Sequence, residues 1–199
     1  MRSALPLLVV LSLAACASPR PPTAEQYSQA FDETSAKAAT GDVVAERELG
    51  GMYFSGQGVP QDYAESADWY GKAAEGGDAQ AQAQLGFAYE YGGRGVPKDA
   101  ARGQALLLQA ASQGLPIAES VAGYNFLSGT GTSADYGQAH VWLEKAAKAG
   151  EPSAATNLGS MYCRGDGVQK DEAACVSWYK QAAQLGSRPG QLLLADAYR

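Results

Sequence analysis

Residues 49–77 read LGGMYFSGQGVPQDYAESADWYGKAAEGG. Ala45, Leu49 and Tyr53 lie four apart, so helical spacing puts them on one face. Gly56-Gln57-Gly58 then breaks the pattern with two residues that accept positive φ. Asp62 precedes a second helical run and is placed to cap it. Glu65 stands at capping-box spacing from Asp62. Trp69, Tyr70, Ala73 and Ala74 follow at helical spacing, and Gly77 ends the run. The stretch is a helix, a glycine turn and a second helix. Neither helix can bury its apolar face without a neighbour.

The same pattern recurs along the chain. Leu49, Leu85, Ala122, Leu158 and Leu194 stand 36, 37, 36 and 36 residues apart. Tyr53, Tyr89, Phe126, Tyr162 and Tyr198 keep the same steps, as do Asp62, Asp99, Asp135 and Asp171. The one extra residue falls in the second turn, between Tyr89 and Val96. A fixed period of about 20–50 residues is the signature of a stacked array. Gly50, Gly86, Gly123 and Gly159 carry no side chain, so a partner helix can approach closely. The turn valine is expected to plug the gap between helix ends. Trp69, Trp142 and Trp178 are expected to fill the core between paired helices.

The run L-G-x-x-Y-x-x-G-x-G-V-x-x-D followed by W-Y-x-x-A-A-x-x-G resembles the Sel-one-like repeat, a relative of the tetratricopeptide repeat. The resemblance covers about residues 25–199. It departs at Leu106-Leu107, at Ala122-Gly123 and at Trp142-Leu143, where volume and apolar character are kept. It implies an all-α, right-handed α-solenoid of four helix–turn–helix units at residues 42–77, 78–114, 115–150 and 151–186. Residues 25–41 supply an N-terminal cap in phase with a second helix, and residues 187–199 a C-terminal first helix.

Charge and composition narrow the function. The 199-residue chain has a net charge of −6, one histidine and three cysteines. A general nucleic-acid binder needs a basic face, which this balance lacks. One histidine and three thiols leave most metal and acid–base schemes short of residues, so no cofactor or metal is expected. Four G-x-G turns lie between helices and lack the third glycine of a dinucleotide fingerprint. His140 sits beside the packing face of its helix and reads as partly packed. No nucleophile motif accompanies the serines.

The first residues read as an address. Ala4 to Ala15 is an apolar run of 12, too short to span a bilayer. It ends Leu13-Ala14-Ala15-Cys16, which resembles a bacterial lipobox. That resemblance implies residues 1–15 as a signal peptide and lipidation of Cys16; an ordinary secretory signal is the alternative. Several acyl chains on one residue anchor stably. Ala17, rather than Asp, after the cysteine favours the outer membrane by the enteric sorting rule. Residues 16–24 hold three prolines and form an extended tether of on the order of 20 Å from Ala17 to Thr23. Without the signal the chain has 14 basic and 21 acidic residues, a net −7.

Cys163 and Cys175 remain as a pair for an oxidising compartment. They fall on facing helices near one turn, so a bridge is the expectation and two buried thiols the alternative. By analogy with tetratricopeptide arrays, the first helices line the concave face. Rows at fixed offset there are Val44/Gln80/Ile117/Ser153, Arg47/Ala83/Ser120/Thr156, Gly51/Phe87/Tyr124/Ser160 and Ser55/Tyr91/Ser128/Arg164. Phe87, Tyr91 and Tyr124 are expected to form an aromatic patch, a composition favoured at interfaces. The alternative is that they cover the next unit's core.

These observations point to a monomeric, non-enzymatic scaffold facing the periplasm from a lipid anchor. Its partner is a protein or peptide of the cell envelope, with Arg47, Phe87, Tyr91, Tyr124 and Arg164 as the binding residues. A binder of cell-wall glycan or exported polysaccharide is the second reading. An enzyme acting on the cell wall or on β-lactams is the third, and no motif supports it. The repeated motif residues themselves read as structural, with specificity in the positions where the copies differ.

Overall fold

The computed structural model describes residues 23–93 and 95–198. The expected signal peptide, Cys16 and most of the tether lie outside them. Among the described residues the helices are α1 Ala24–Ala38, α2 Val43–Ser55, α3 Tyr63–Glu75, α4 Ala79–Tyr91, α5 Ala100–Ser112, α6 Pro116–Ser128, α7 Tyr136–Lys148, α8 Pro152–Arg164, α9 Glu172–Gln184 and α10 Arg188–Ala197. Each packs mainly on its chain neighbours, as in an α-solenoid. First helices also touch across units, α6 on α8 and α8 on α10, which puts them on the inside of the stack. No described helix is long and apolar enough to cross a membrane.

The helix pairs close through the repeat aspartate. Its backbone N–H donates to the carbonyl of the repeat aromatic residue: Asp62 to Tyr53 at 3.0 Å, Asp99 to Tyr89 at 2.8 Å, Asp135 to Phe126 at 2.9 Å and Asp171 to Tyr162 at 3.0 Å. Its carboxylate accepts from N–H groups in the next helical turn, as in Asp99 with Arg102 at 2.9 Å. The reciprocal capping box expected at Asp62 and Glu65 does not form. Asp62 N–H is already taken by Tyr53. A complete box forms instead at the start of α1, between Thr23 and Gln26.

The turns pack the units together. Gly58 and Gly131 have positive φ and lie against the carbonyls of Tyr27 and Ala100, with no room for a Cβ. Val96 is buried behind the second turn, while Val168 is half-buried on the fourth unit's core. The second turn carries the extra residue. Gly93 and Val96 exchange both backbone hydrogen bonds there, at 2.8 and 3.0 Å. Gly92 and Gly93 both take positive φ.

The core follows the Leu-Gly pattern. A Cβ at Gly50 would lie 2.8 Å from the Tyr70 ring, and one at Gly159 would lie 2.5 Å from the Tyr179 ring. Leu107 and Leu143 cover Gly86 and Gly123 in the same way. The residue after the tryptophan position therefore fills the space between paired helices, and the tryptophans do not. Trp69, Trp142 and Trp178 are half-buried at the edges of the clusters. Lys72 Nζ sits 3.5 Å from the centre of the Trp69 ring, so one side of that indole faces a cation at the surface. Cys163 and Cys175 form a disulfide with Cα atoms 5.2 Å apart, joining α8 to α9.

One polar cluster interrupts the apolar core. Asn125 is fully buried, and its Nδ2 donates to Glu90 Oε2 and to Gln104 Oε1, both at 2.9 Å. Gln104 Nε2 donates in turn to the Ala122 carbonyl at 3.3 Å. The same positions in units one and four are held by Met52, Phe54 and Ala67, and by Met161, Cys163 and Val176. No repeat motif marks these three polar residues. Their departure from the other copies is the signal that identifies them.

Candidate functional site

A groove runs between the first and second units. At its turn end, a cavity of about 300 Å³ is walled by Phe54 and Tyr63 from unit one and by Phe87 and Tyr91 from unit two, with Tyr70 and Gln84 beside them. The Phe54 and Tyr63 rings meet edge to face with centres 5.5 Å apart. Gly92, Gly93 and Val96 of the second turn close the rim. A second hollow of about 360 Å³ continues from it, bordered by Arg47, Gly51, Gln80, Gln84 and Ile117. Tyr70, Gln84 and Phe87 border both, so the two form one trough with an aromatic end and a polar end.

Helical phase explains the aromatic end. Phe87 and Tyr91 are four apart on α4 and share its inner face. Phe54 lies in the last turn of α2, two residues before its left-handed Gly56 cap turns the chain. Tyr63 opens α3 on the other side of that turn. Tyr91 is 73% exposed and Phe54 51%, large values for rings that have no core to join. Phe87 serves two roles, since it also packs on the core cluster of Leu107, Ala118 and Ala122.

The structure gathers some of the expected binding residues and disperses others. Phe87, Tyr91 and Arg47 border the trough. Tyr124 is 48% exposed one unit further on and does not border it. The aromatic patch is therefore Phe54, Tyr63, Phe87 and Tyr91, centred one unit earlier than expected. Arg47 Nε donates to Asp78 Oδ2 at 3.2 Å, and Asp78 also caps α4. Its guanidinium thus joins unit one to unit two. Thr156 and Ser187 make the corresponding link at 2.9 Å, as do Ser120 and Ser153 at 3.2 Å. The row beginning at Arg47 is a stacking row more than a ligand row. Arg164 pairs with Asp166 in the fourth turn at 2.6 Å, remote from the trough. His140 is half-buried, its Nε2 3.1 Å from the Tyr162 hydroxyl.

The trough's lining holds aromatic rings, amides, one arginine tied to an aspartate and one glutamate, Glu48. No three His, Cys, Asp or Glu side chains among the described residues cluster with the geometry of a metal site. Burial pushes the Tyr70 hydroxyl above its ordinary pKa, with the nearby Arg47 charge pulling the other way. The hydroxyl therefore stays protonated at neutral pH.

A helix-pair stack with a recognition trough on its inner helices is the architecture of an interaction repeat. The Sel1 repeat family profile matches residues 43–78, 79–115, 116–151 and 152–187, and the chain belongs to that family. Sel1 repeats generally mediate protein–protein interaction. The fold is similar to that of a protective antigen of uropathogenic Escherichia coli with an SLR fold, at 41% identity and a TM-score of 0.83. That match covers 86% of this chain but 37% of the antigen, so the chain spans little more than a third of that relative. A Sel1 repeat protein from Oxalobacter formigenes is 35% identical with a TM-score of 0.82, over 88% of this chain and 69% of that one. A search of curated protein sequences gave no match.

Proposed function

We propose that this chain is a non-enzymatic adaptor of the bacterial cell envelope, anchored by lipid at Cys16, whose inner face binds a segment of a protein partner. The observation that carries the binding reading is the aromatic trough. Phe54 and Tyr91 are large, exposed rings held on rigid helices around a cavity of about 300 Å³. Rigid aromatic anchors around a pocket are what hot spots use. An extracytoplasmic setting is supported by Leu13-Ala14-Ala15-Cys16 and by the Cys163–Cys175 bridge, which suits an oxidising compartment.

Photo-crosslinking in intact cells tests the reading. A crosslinker at position 91 should give a discrete protein adduct that a crosslinker at position 180, on α9, does not give. The Phe87→Ala variant should weaken that adduct. Recovery of glycan alone from position 91, or equal adducts from both positions, would sink the proposal.

A further inference from the structure

Tyr70 and Tyr179 hold the same position in units one and four, each ring pressed against its unit's glycine, Gly50 or Gly159. Their hydroxyls end differently. Tyr179 Oη lies 3.0 Å from Ser160 Oγ on its own first helix. In unit one the place of Ser160 is taken by Gly51, which offers no side chain. Tyr70 Oη is 3.5 Å from where a Gly51 Cβ would stand, and it makes no hydrogen bond to any described residue. Units two and three have the apolar pairs Phe87 with Leu107 and Tyr124 with Leu143 at these positions. At the position of Tyr70, a hydroxyl without a partner among the described residues is therefore particular to unit one.

Its location gives it a use. Tyr70 is 9% exposed and borders both halves of the trough, with Gly51 in the wall of the polar half. The hydroxyl faces the trough with no protein partner among the described residues, so a bound acceptor can take its hydrogen bond without breaking one inside the protein. We propose that Tyr70 Oη reads the ligand of this trough, donating a hydrogen bond to a backbone carbonyl of an uncharged, extended peptide segment whose apolar side chain fills the aromatic cavity. This assignment rests on the peptide-binding reading above.

The lining selects that occupant. Among the described residues its charges are Glu48 and Arg47, and Arg47 is paired with Asp78, so these walls offer little complement to a strongly charged segment. The aromatic cavity presents Phe54, Ala67, Phe87, Ala88 and Val96 beside the rings of Tyr63 and Tyr91. An apolar side chain followed by a backbone carbonyl matches the aromatic walls and the Tyr70 donor beside them. A volume of about 300 Å³ stands at the small end of ligand pockets, the scale of one side chain rather than a folded domain.

Two small probes carry the test, N-acetyl-tryptophanamide and 3-methylindole, titrated onto the full chain by NMR. They share a ring, and only the first has carbonyls. Both should shift the amides of residues 87 and 91. The Tyr70→Phe variant should lower the affinity ratio of amide to indole about three- to tenfold. Gly51→Ser should lower it as much, because the new hydroxyl engages Tyr70 as Ser160 engages Tyr179. Ser160→Gly should leave the ratio unchanged. Thermal melts close to that of the parent chain qualify each variant. A ratio unmoved in both Tyr70→Phe and Gly51→Ser, with both probes still binding, overturns the role of Tyr70 and leaves the trough standing. No shift at residues 87 and 91 with either probe overturns the trough and this assignment together.

Discussion

Asn125 Nδ2 reaches across a unit boundary to donate to Glu90 Oε2 at 2.9 Å, with both residues buried. This contact ties α4 to α6 where the neighbouring units use methionine and other apolar side chains. Asn125→Ala should lower stability by roughly 2–4 kcal/mol, because it leaves Glu90 and Gln104 without their donor. The triple variant Glu90→Leu, Gln104→Val and Asn125→Met uses residue types found at these positions in units three and four, and should recover the parent stability. Urea unfolding of the single and triple variants checks both outcomes.

The Leu-Gly glycines are demanded by packing, whereas Gly71 is not. Gly159→Ala places a Cβ 2.5 Å from the Tyr179 ring and should destabilise by about 1–3 kcal/mol. Gly71 lies inside α3 with nothing within 4 Å of its missing Cβ. Gly71→Ala should stabilise by about 0.5–1 kcal/mol through helix propensity. The opposite signs, read as shifts of the denaturation midpoint, separate close approach from mere helical glycine.

Much of this is legible in the sequence. The Leu49 row, the aspartate caps, the glycine turns and the Cys163–Cys175 bridge all follow from register, because each is fixed within one unit or between two facing helices. What the register does not give is which side chains of different units meet. Phe54 and Tyr63 join Phe87 and Tyr91 because adjacent units stack with a particular offset, and that offset leaves Tyr124 outside. Arg47 looked like a free variable residue, yet Asp78 of the next unit claims it. Tyr70 looked wholly structural as part of the repeated Trp-Tyr pair. Its ring is structural, but the missing side chain at Gly51 leaves its hydroxyl open to the trough.

Tyr70 should also leave a mark at high pH. Its folded pKa is raised above the ordinary 10.0 by burial. The stability from keeping that hydroxyl neutral is complete below about pH 10 and is lost as pH rises through the raised value. Tyrosinate absorbance should show a late-titrating group that is absent in Tyr70→Phe. Identical titration curves for the two proteins would contradict the burial effect.

The disulfide should protect one end of the array. Cys175→Ser, or reduction, should cost roughly 2–4 kcal/mol. The loss should concentrate in α8 and α9, because units of a solenoid touch only their neighbours. Hydrogen exchange should speed in residues 152–184 and stay near the parent rate in α3 and α4. Mass analysis without reductant should find the two cysteines joined.

Cys16→Ser tests the address. The parent chain should sediment with membranes and carry an added lipid mass on its N-terminal peptide. The variant should lose both. Soluble parent protein with an unmodified Cys16 would remove the anchor from the proposal.

The second turn is one residue longer than the others, and its Gly92, Gly93 and Val96 form the rim of the aromatic cavity. The helices on either side keep the common length and the common aspartate bond. A single inserted codon can thus reshape the mouth of a binding site without disturbing the stack that supports it. Tandem duplication supplies several such turns, so a lineage can experiment with one while the rest preserve the stack. New specificities in arrays of this kind would then arise more readily by small insertions at the loops than by rebuilding a helix.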